Sequence, residues 1–203
     1  MEIDAASLTH QATYKLLTGA VVPRPIAWVS SGVEPGKINL APFSTFTFVS
    51  PFPPMLGFNC GMRGNMRKDT SRNIQTYGEY VINIADRTMM EAMHESSADH
   101  APEISEVELL GLETAPSVKI RTPRLAKAPI SMECRLHQVL SFGATNPEFF
   151  VGEVLMFHVR DDLYKDGKID TRLLDPICRL GGPTYATLGE IITLRSVGSL
   201  PGG

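Results

Sequence analysis

Asn39-Leu40-Ala41-Pro42-Phe43-Ser44-Thr45-Phe46 is the stretch from which the architecture of this chain can be worked outward. It lies in an apolar run, Ile38 to Val49, whose aromatic and branched residues predict a strand. Pro42 interrupts that run. A proline has no N–H to give to a ladder, so the strand here is an edge, a bulge or a bend. Small hydroxylic residues, Ser44 and Thr45, stand beside aromatic Phe43 and Phe46. Apolar faces with amide and hydroxyl groups at the rim suit a flat heteroaromatic ring. A bulged strand whose Ser and Thr satisfy their own backbone explains the same residues, and composition alone favours it because bulges are common.

On either side the pattern is that of short strands with few helices. Thr9 to Leu17 predicts a short amphipathic helix ending near Gly19, and Ile26 to Ser31 a strand containing Trp28. Gly32 to Gly36 is turn chemistry at a hairpin tip, and Met55 to Asn59 is a third strand. Lys68 to Tyr77 predicts a helix capped by Asp69 or Thr70 and stopped by Gly78; Tyr80 to Ala85 a strand; Arg87 to Ser96 a second helix. A short helical or turn segment falls near Val107 to Leu110. Strands are expected at Val118–Ile120, Ile130–Val139 and Phe149–Arg160, with a tight turn at Asp166-Gly167. The alternation of Met132, Cys134 and Leu136 with Glu133, Arg135 and His137 predicts one buried and one wet face. Such a series favours a barrel over a layered α/β sheet. The tail Ser199–Gly203 is expected to fray.

Composition narrows the partners. The 203 residues are 43% hydrophobic and 20% charged, an ordinary globular balance that fits one domain over residues 1–203. A formal net charge of −3, with no basic block, speaks against nucleic acid as a partner. Met1 to Gln11 lacks the basic start and apolar centre of a secretory signal. The longest apolar run, Val21 to Ser31, is broken by Pro23, Arg24 and Pro25, so no membrane span is expected. Cys60, Cys134 and Cys178 are odd in number and far apart, and read as reduced, buried thiols of a cytoplasmic protein.

Three further segments carry chemistry. Arg63-Gly-Asn-Met-Arg-Lys-Asp-Thr-Ser-Arg-Asn73 gathers cations around a helix start, where free N–H groups attract anions and Lys68, Thr70 and Ser71 complete a phosphate cradle. A capped, solvated helix is the alternative. In Val22-Pro-Arg-Pro-Ile-Ala-Trp28, prolines fix the backbone around Arg24, which engages either an anion or a carboxylate of the protein itself. Arg179-Leu-Gly-Gly-Pro-Thr-Tyr185 lets backbone approach a ligand closely and adds a ring and a hydroxyl; a plain loop explains it too. There is no GxSxG elbow and no HExxH motif. His94 and His100, with Glu95 and Asp99 between them, suggest metal ligands only superficially; solvated histidines are the expectation, and no metal site is assigned. Met89, Met90 and Met93 read as core filling.

Taken in order, these motifs resemble the flavin reductase-like, FMN-binding split-barrel family, in particular its flavoredoxin-like branch. The resemblance rests on Pro23-Arg-Pro-Ile-Ala-Trp-Val-Ser30, Asn39-Leu-Ala-Pro-Phe-Ser44, Pro53-Pro54, Lys68-Asp-Thr70 with Asn73, Val81-Ile-Asn83, and Arg179-Leu-Gly-Gly182 with Tyr185. It runs from about Tyr14 to about Leu194. It implies a mostly β fold, a six-stranded antiparallel Greek-key split barrel, paired as a homodimer with FMN near the subunit interface. It also implies that Lys68, Asp69 and Thr70 surround the phosphate, with Arg63 or Arg24 as a further cation and Asn73 beside them. Asn39, Ala41, Pro42, Phe43, Ser44 and Thr45 would line the flavin, chiefly through the backbone of Ala41 and Phe43 and the Ser44 hydroxyl. Gly181, Gly182 and Tyr185 would sit at the open side, where a nicotinamide approaches.

The activity this implies is hydride transfer from NAD(P)H to flavin, with reduced flavin passed to a monooxygenase or another acceptor. Such chemistry belongs to the cofactors, so no catalytic residue is expected of the protein. It has only to hold the rings stacked, about 3.5 Å apart at the reacting atoms. A non-enzymatic FMN electron carrier is the alternative, and a module that merely binds a flat ligand is a third reading.

Overall fold

A computed structural model describes residues 1–195, so the fraying expected at Ser199–Gly203 lies outside the described residues. Seven strands build one antiparallel sheet: β1 Ala27–Ser31, β2 Asn39–Phe43, β3 Phe46–Pro51, β4 Pro54–Cys60, β5 Glu79–Ile84, β6 Ile130–Ser141 and β7 Glu148–Val159. Across the sheet they run β2-β1-β5-β6-β7-β4-β3, so β4 returns to lie beside β7 in Greek-key fashion. The sheet curls into a half-barrel. Its two edge strands, β2 and β3, are consecutive in the chain and are joined only by Ser44 and Thr45.

That corner explains the count of seven strands where six were expected. The run Ile38 to Val49 is not one strand with a break but two, on opposite edges of the sheet. Pro42 sits on the ladder opposite Trp28, and β2 has no strand on its other side. Leu40 turns its N–H away from β1, to Glu106 Oε2 at 2.9 Å. Two residues on, Pro42 has no donor to offer on that same outer side, so the edge holds it at no cost to the ladder. Past the corner the chain crosses to the far edge, where the Thr45 carbonyl accepts the Asn59 N–H at 2.9 Å.

Two cores follow from strand alternation. Ala27 and Val29 point into the barrel with Phe43, Phe58, Tyr80 and Phe150; Ile26 and Trp28 point outward under a helical layer with Leu40 and Met93. All five residues of β1 are therefore buried, which is why this strand reads as a continuous apolar run. The Trp28 indole N–H donates to Ser96 Oγ at 2.8 Å, tying β1 to α3 (Met90–Glu95).

Helix α1 (His10–Ala20) is capped by Thr9 and buries none of its residues. Helix α2 (Asp69–Tyr77) ends at Gly78, whose φ of 71° is left-handed, as a glycine stop requires. Its N-cap position is Lys68, without a side-chain cap, rather than Asp69 or Thr70; both of these lie inside the first turn. Asp166-Gly167 forms the expected tight turn, with φ of 52° and 78°.

Three further expectations change. Val118–Ile120 is not a strand: the Val118 and Lys119 N–H groups donate to the Glu133 carboxylate at 2.7 and 2.6 Å, while Thr114–Ala115 pairs with Arg124–Leu125 instead. That loop covers the Glu133 end of the face expected to be wet, so Glu133 is fully buried, with His158 Nε2 at 2.5 Å from its carboxylate, while Arg135 and His137 are exposed as expected. Cys60 and Cys134 are buried free thiols, but Cys178 is only half-buried. Among the described residues, no helix is long and apolar enough to cross a membrane and no metal-binding cluster occurs.

Candidate functional site

A miniature three-stranded sheet stands beside the barrel and sets the site. Arg24–Pro25 pairs with Cys178–Arg179, which pairs with Tyr185–Ala186, so Arg24, Arg179 and Tyr185 fall in one row. The reversal between the last two strands passes through Gly182, whose φ of 60° suits glycine. Facing this row are the Pro42–Thr45 corner, Lys68 at the start of α2, and Tyr14 and Thr18 of α1.

These elements enclose a cavity of about 400 Å³ lined by Tyr14, Thr18, Arg24, Ala41, Pro42, Phe43, Ser44, Lys68, Ser97, Arg179 and Tyr185. It adjoins a larger, more apolar hollow of about 890 Å³ between α1 and the same corner, reaching Thr45, Asn59 and Met62. No Asp or Glu lines either space among the described residues. Asn59 adds a buried side-chain oxygen, Oδ1, with no hydrogen-bond partner.

The three cations differ in what they have left to give. A guanidinium carries five N–H donors. Arg24 Nη1 donates to the Thr18 and Val21 carbonyls and Nη2 to the Leu180 carbonyl, all at 2.7 Å, with Nε 3.5 Å from Ser44 Oγ. Arg24 is thus a tie that laces α1, the corner and the 180–184 loop together. Arg179 spends Nε on the Gly182 carbonyl at 2.8 Å and Nη1 on the Tyr185 hydroxyl at 2.5 Å, which leaves most of its donors free. Lys68 is half-buried, and its side chain takes part in no hydrogen bond or ion pair among the described residues.

Tyr185 stands at the centre of a small network. Its hydroxyl is 2.9 Å from His94 Nδ1, and the Arg179 guanidinium lies 4.7 Å over its ring. Burial raises the phenol above its ordinary value against the pull of Arg179, so it stays protonated at neutral pH. Burial likewise pushes the Cys60 thiol up to about 12, against the nearby Lys68 ammonium, so Cys60 is no nucleophile.

Of the residues singled out in the sequence, Arg24, Ala41, Pro42, Phe43, Ser44, Lys68 and Tyr185 line the cavity, and Thr45 its continuation. The Phe43 ring, expected as a stacking face, packs inward on Phe58 at 4.9 Å, and Phe46 packs on the same core. Asn39, Asp69 and Asn73 line a separate hollow of about 160 Å³. Asn39 Nδ2 donates to Thr70 Oγ1 at 2.8 Å and to Ser31 Oγ at 3.2 Å, and Asn73 Nδ2 reaches the Ser31 carbonyl at 3.4 Å. Together they knot α2 onto the β1–β2 hairpin. Asp69 is paired with Arg72, and Arg63 with Asp99 at 2.5 Å. Arg179 stands out in the sequence only through its motif, two residues ahead of the paired glycines Gly181 and Gly182. His94, expected to be solvated, is instead half-buried on the Tyr185 hydroxyl, a partner 91 residues away that its neighbours in sequence do not announce.

The family model described as "Flavin reductase like domain" matches residues 18–173. An uncharacterized protein of Halalkalibacterium halodurans is 40% identical over 199 residues, covering 96% of this chain and 95% of that one. Nitrilotriacetate monooxygenase component B from Bacillus cereus superimposes with a TM-score of 0.92 at 38% identity, covering 96% of this chain and 98% of that one. The 2-nitrobenzoate 2-nitroreductase NbaA of Pseudomonas fluorescens does so with a TM-score of 0.89 at 32% identity, covering 100% and 99%.

Proposed function

The chain belongs to the flavin reductase-like domain family, and from that premise we propose that it is an NAD(P)H-dependent reductase holding FMN in the cavity between α1, the Pro42–Thr45 corner and the 179–185 loop. One observation carries the reading. Arg24, Lys68 and Arg179 converge on a largely polar space that has no carboxylate and adjoins a more apolar hollow, and none of the three has an acidic partner among the described residues. A cavity so charged suits a ligand that joins a flat ring to a phosphate.

The residues present fit that group. Lys68 is the phosphate anchor, with its ammonium donors uncommitted beside the first turn of α2. The Ser44 hydroxyl and the Thr45 segment supply polar contacts at the ring's edge, and the unpartnered Asn59 Oδ1 is an acceptor for a ring N–H. Ala41 keeps one wall low. Asn39, Thr70 and Asn73 act by fixing α2, and hence Lys68, against the barrel. Bound FMN would supply the hydride chemistry; the protein excludes water and sets the distance between rings.

The same reading takes the protein to be a cytoplasmic homodimer. Tyr14 and Leu17 of α1 and Val21 just beyond it are exposed, as are Phe48 and Val49 of edge strand β3 and the adjoining Phe52, more apolar surface than a monomer usually leaves open. A second copy is the natural cover, close to the larger hollow. A monooxygenase is a fitting consumer of the reduced flavin, in keeping with the name of the Bacillus cereus relative.

The test is turnover with free flavin. Purified protein with NADH or NADPH and excess FMN in air is expected to oxidise many equivalents of nicotinamide, followed as loss of its near-ultraviolet absorbance. Bleaching of one bound equivalent and no more would replace the reductase by an electron carrier.

A further inference from the structure

The reductase reading counts Arg179 among the cations of the cavity but gives its free donors no ligand atom, and its surroundings point to one. It lines the cavity across from Lys68, keeps most of its donors free, and is held in place by its own contacts: Nε on the Gly182 carbonyl, Nη1 on the Tyr185 hydroxyl, and its guanidinium over the Tyr185 ring. His94 in turn fixes that hydroxyl from α3. A guanidinium oriented beforehand, unpaired with any carboxylate and facing a cavity loses little entropy when it takes a bidentate oxyanion. Lys68 already answers the phosphate of FMN and Arg24 is tied to backbone carbonyls, which leaves Arg179 as a further cation with most of its donors free.

We propose that Arg179, positioned by Tyr185 and His94, is a second oxyanion subsite, which docks the carboxylate or phosphate of the substrate exchanging electrons at this site. The proposal rests on the reductase reading and names its substrate class: acidic molecules, whether the phosphate-bearing electron donor or an aromatic carboxylate as acceptor. Arg24 is excluded from the role because its donors are committed to backbone carbonyls.

The test is equilibrium binding to the FMN-loaded protein, by calorimetry, for wild type, Arg179→Gln and Arg179→Lys. The probes are NADP⁺, NAD⁺, 2-nitrobenzoate and uncharged nitrobenzene. Arg179→Gln should weaken at least one anionic probe by about tenfold or more, with Arg179→Lys recovering part of the loss, while nitrobenzene and FMN itself bind as before. A loss confined to the dinucleotides assigns the subsite to the electron donor, and one confined to 2-nitrobenzoate assigns it to the acceptor. Equal binding of every anionic probe overturns the proposal. So does a parallel loss of nitrobenzene, which would make the effect one of shape, or of FMN, which would place Arg179 at the flavin phosphate. Should Arg179→Gln fail to fold, Tyr185→Phe replaces it: freeing Nη1 should weaken the anionic probes and leave nitrobenzene unchanged, and no change is fatal. A wild-type protein that does not bind FMN refutes the reductase reading instead.

Discussion

Charged side chains in and around the site are separated less by their type than by what they have already bonded. Arg24 and Arg179 look alike in the sequence, each set in a Pro- or Gly-rich segment, yet one is a structural lace and the other is open to a ligand. Donor counting needs coordinates, which is why the motif could name Arg24 but not rank it below Arg179. Glu106 shows the same at an acidic residue. It is buried with its Oε2 on the Leu40 N–H, and burial raises its pKa against that bond. A carboxyl whose folded-state pKa is raised contributes most at low pH, and that contribution is lost as pH rises through the raised value. Glu106→Gln keeps an acceptor for Leu40 and removes the charge. The variant is therefore expected to unfold at a higher urea concentration than wild type near neutral pH, and to lose that advantage below about pH 4, where the native carboxyl is neutral. Lower stability of the variant at neutral pH would show that the charge itself holds the edge strand.

Between elements, two buried carboxylates act as pins. Glu148 of β7 accepts from Arg67 Nε at 2.9 Å and from the Ser71 hydroxyl and Gln75 amide of α2; Glu133 of β6 accepts from the 118–119 loop and His158. Burial opposes ionisation of both, but the hydrogen bonds outweigh it and hold the two carboxyls below the usual range. Their contribution is present above the unfolded-state value and lost as pH falls through the depressed ones. Urea midpoints should therefore drop steeply between about pH 5 and pH 3, and Glu148→Gln should flatten part of that drop; an unchanged slope would contradict the pin. Strand packing gives a second check. A Cβ added at Gly152 of β7 would strike the hydroxyl of Tyr80, which is fully buried against Phe58, so Gly152→Ala should cost about 1–3 kcal/mol in denaturant unfolding. Most elements were legible in advance because their signals are local: Pro42 announced an edge, a bulge or a bend, Gly78 a helix stop, Asp166-Gly167 a turn. The division of 38–49 between opposite edges was not, because it depends on where the sheet closes. Nor was the covering of Glu133, because the alternation of β6 cannot reveal a loop that folds back over it.

At the scale of the molecule, the Pro42–Thr45 corner joins the two edges of the sheet and forms a wall of the cavity, so fold closure and the candidate site share the same residues. The face beside it, α1 with β3, is apolar and uncovered in one copy. Sedimentation should give twice the chain mass of 22.2 kDa, and Phe48→Asp should shift the protein toward monomer; a wild-type monomer would leave that face unexplained. The account as a whole depends on Lys68 and the corner gripping a phosphate-bearing flat ring. Titrating FMN into the purified protein while following flavin fluorescence tests this most directly. The prediction is saturable perturbation at one FMN per chain, weakened in Lys68→Ala by about 1–3 kcal/mol, the loss of one charge-assisted hydrogen bond. Flavin fluorescence that never responds, or a Lys68→Ala protein that binds as tightly as wild type, would contradict it.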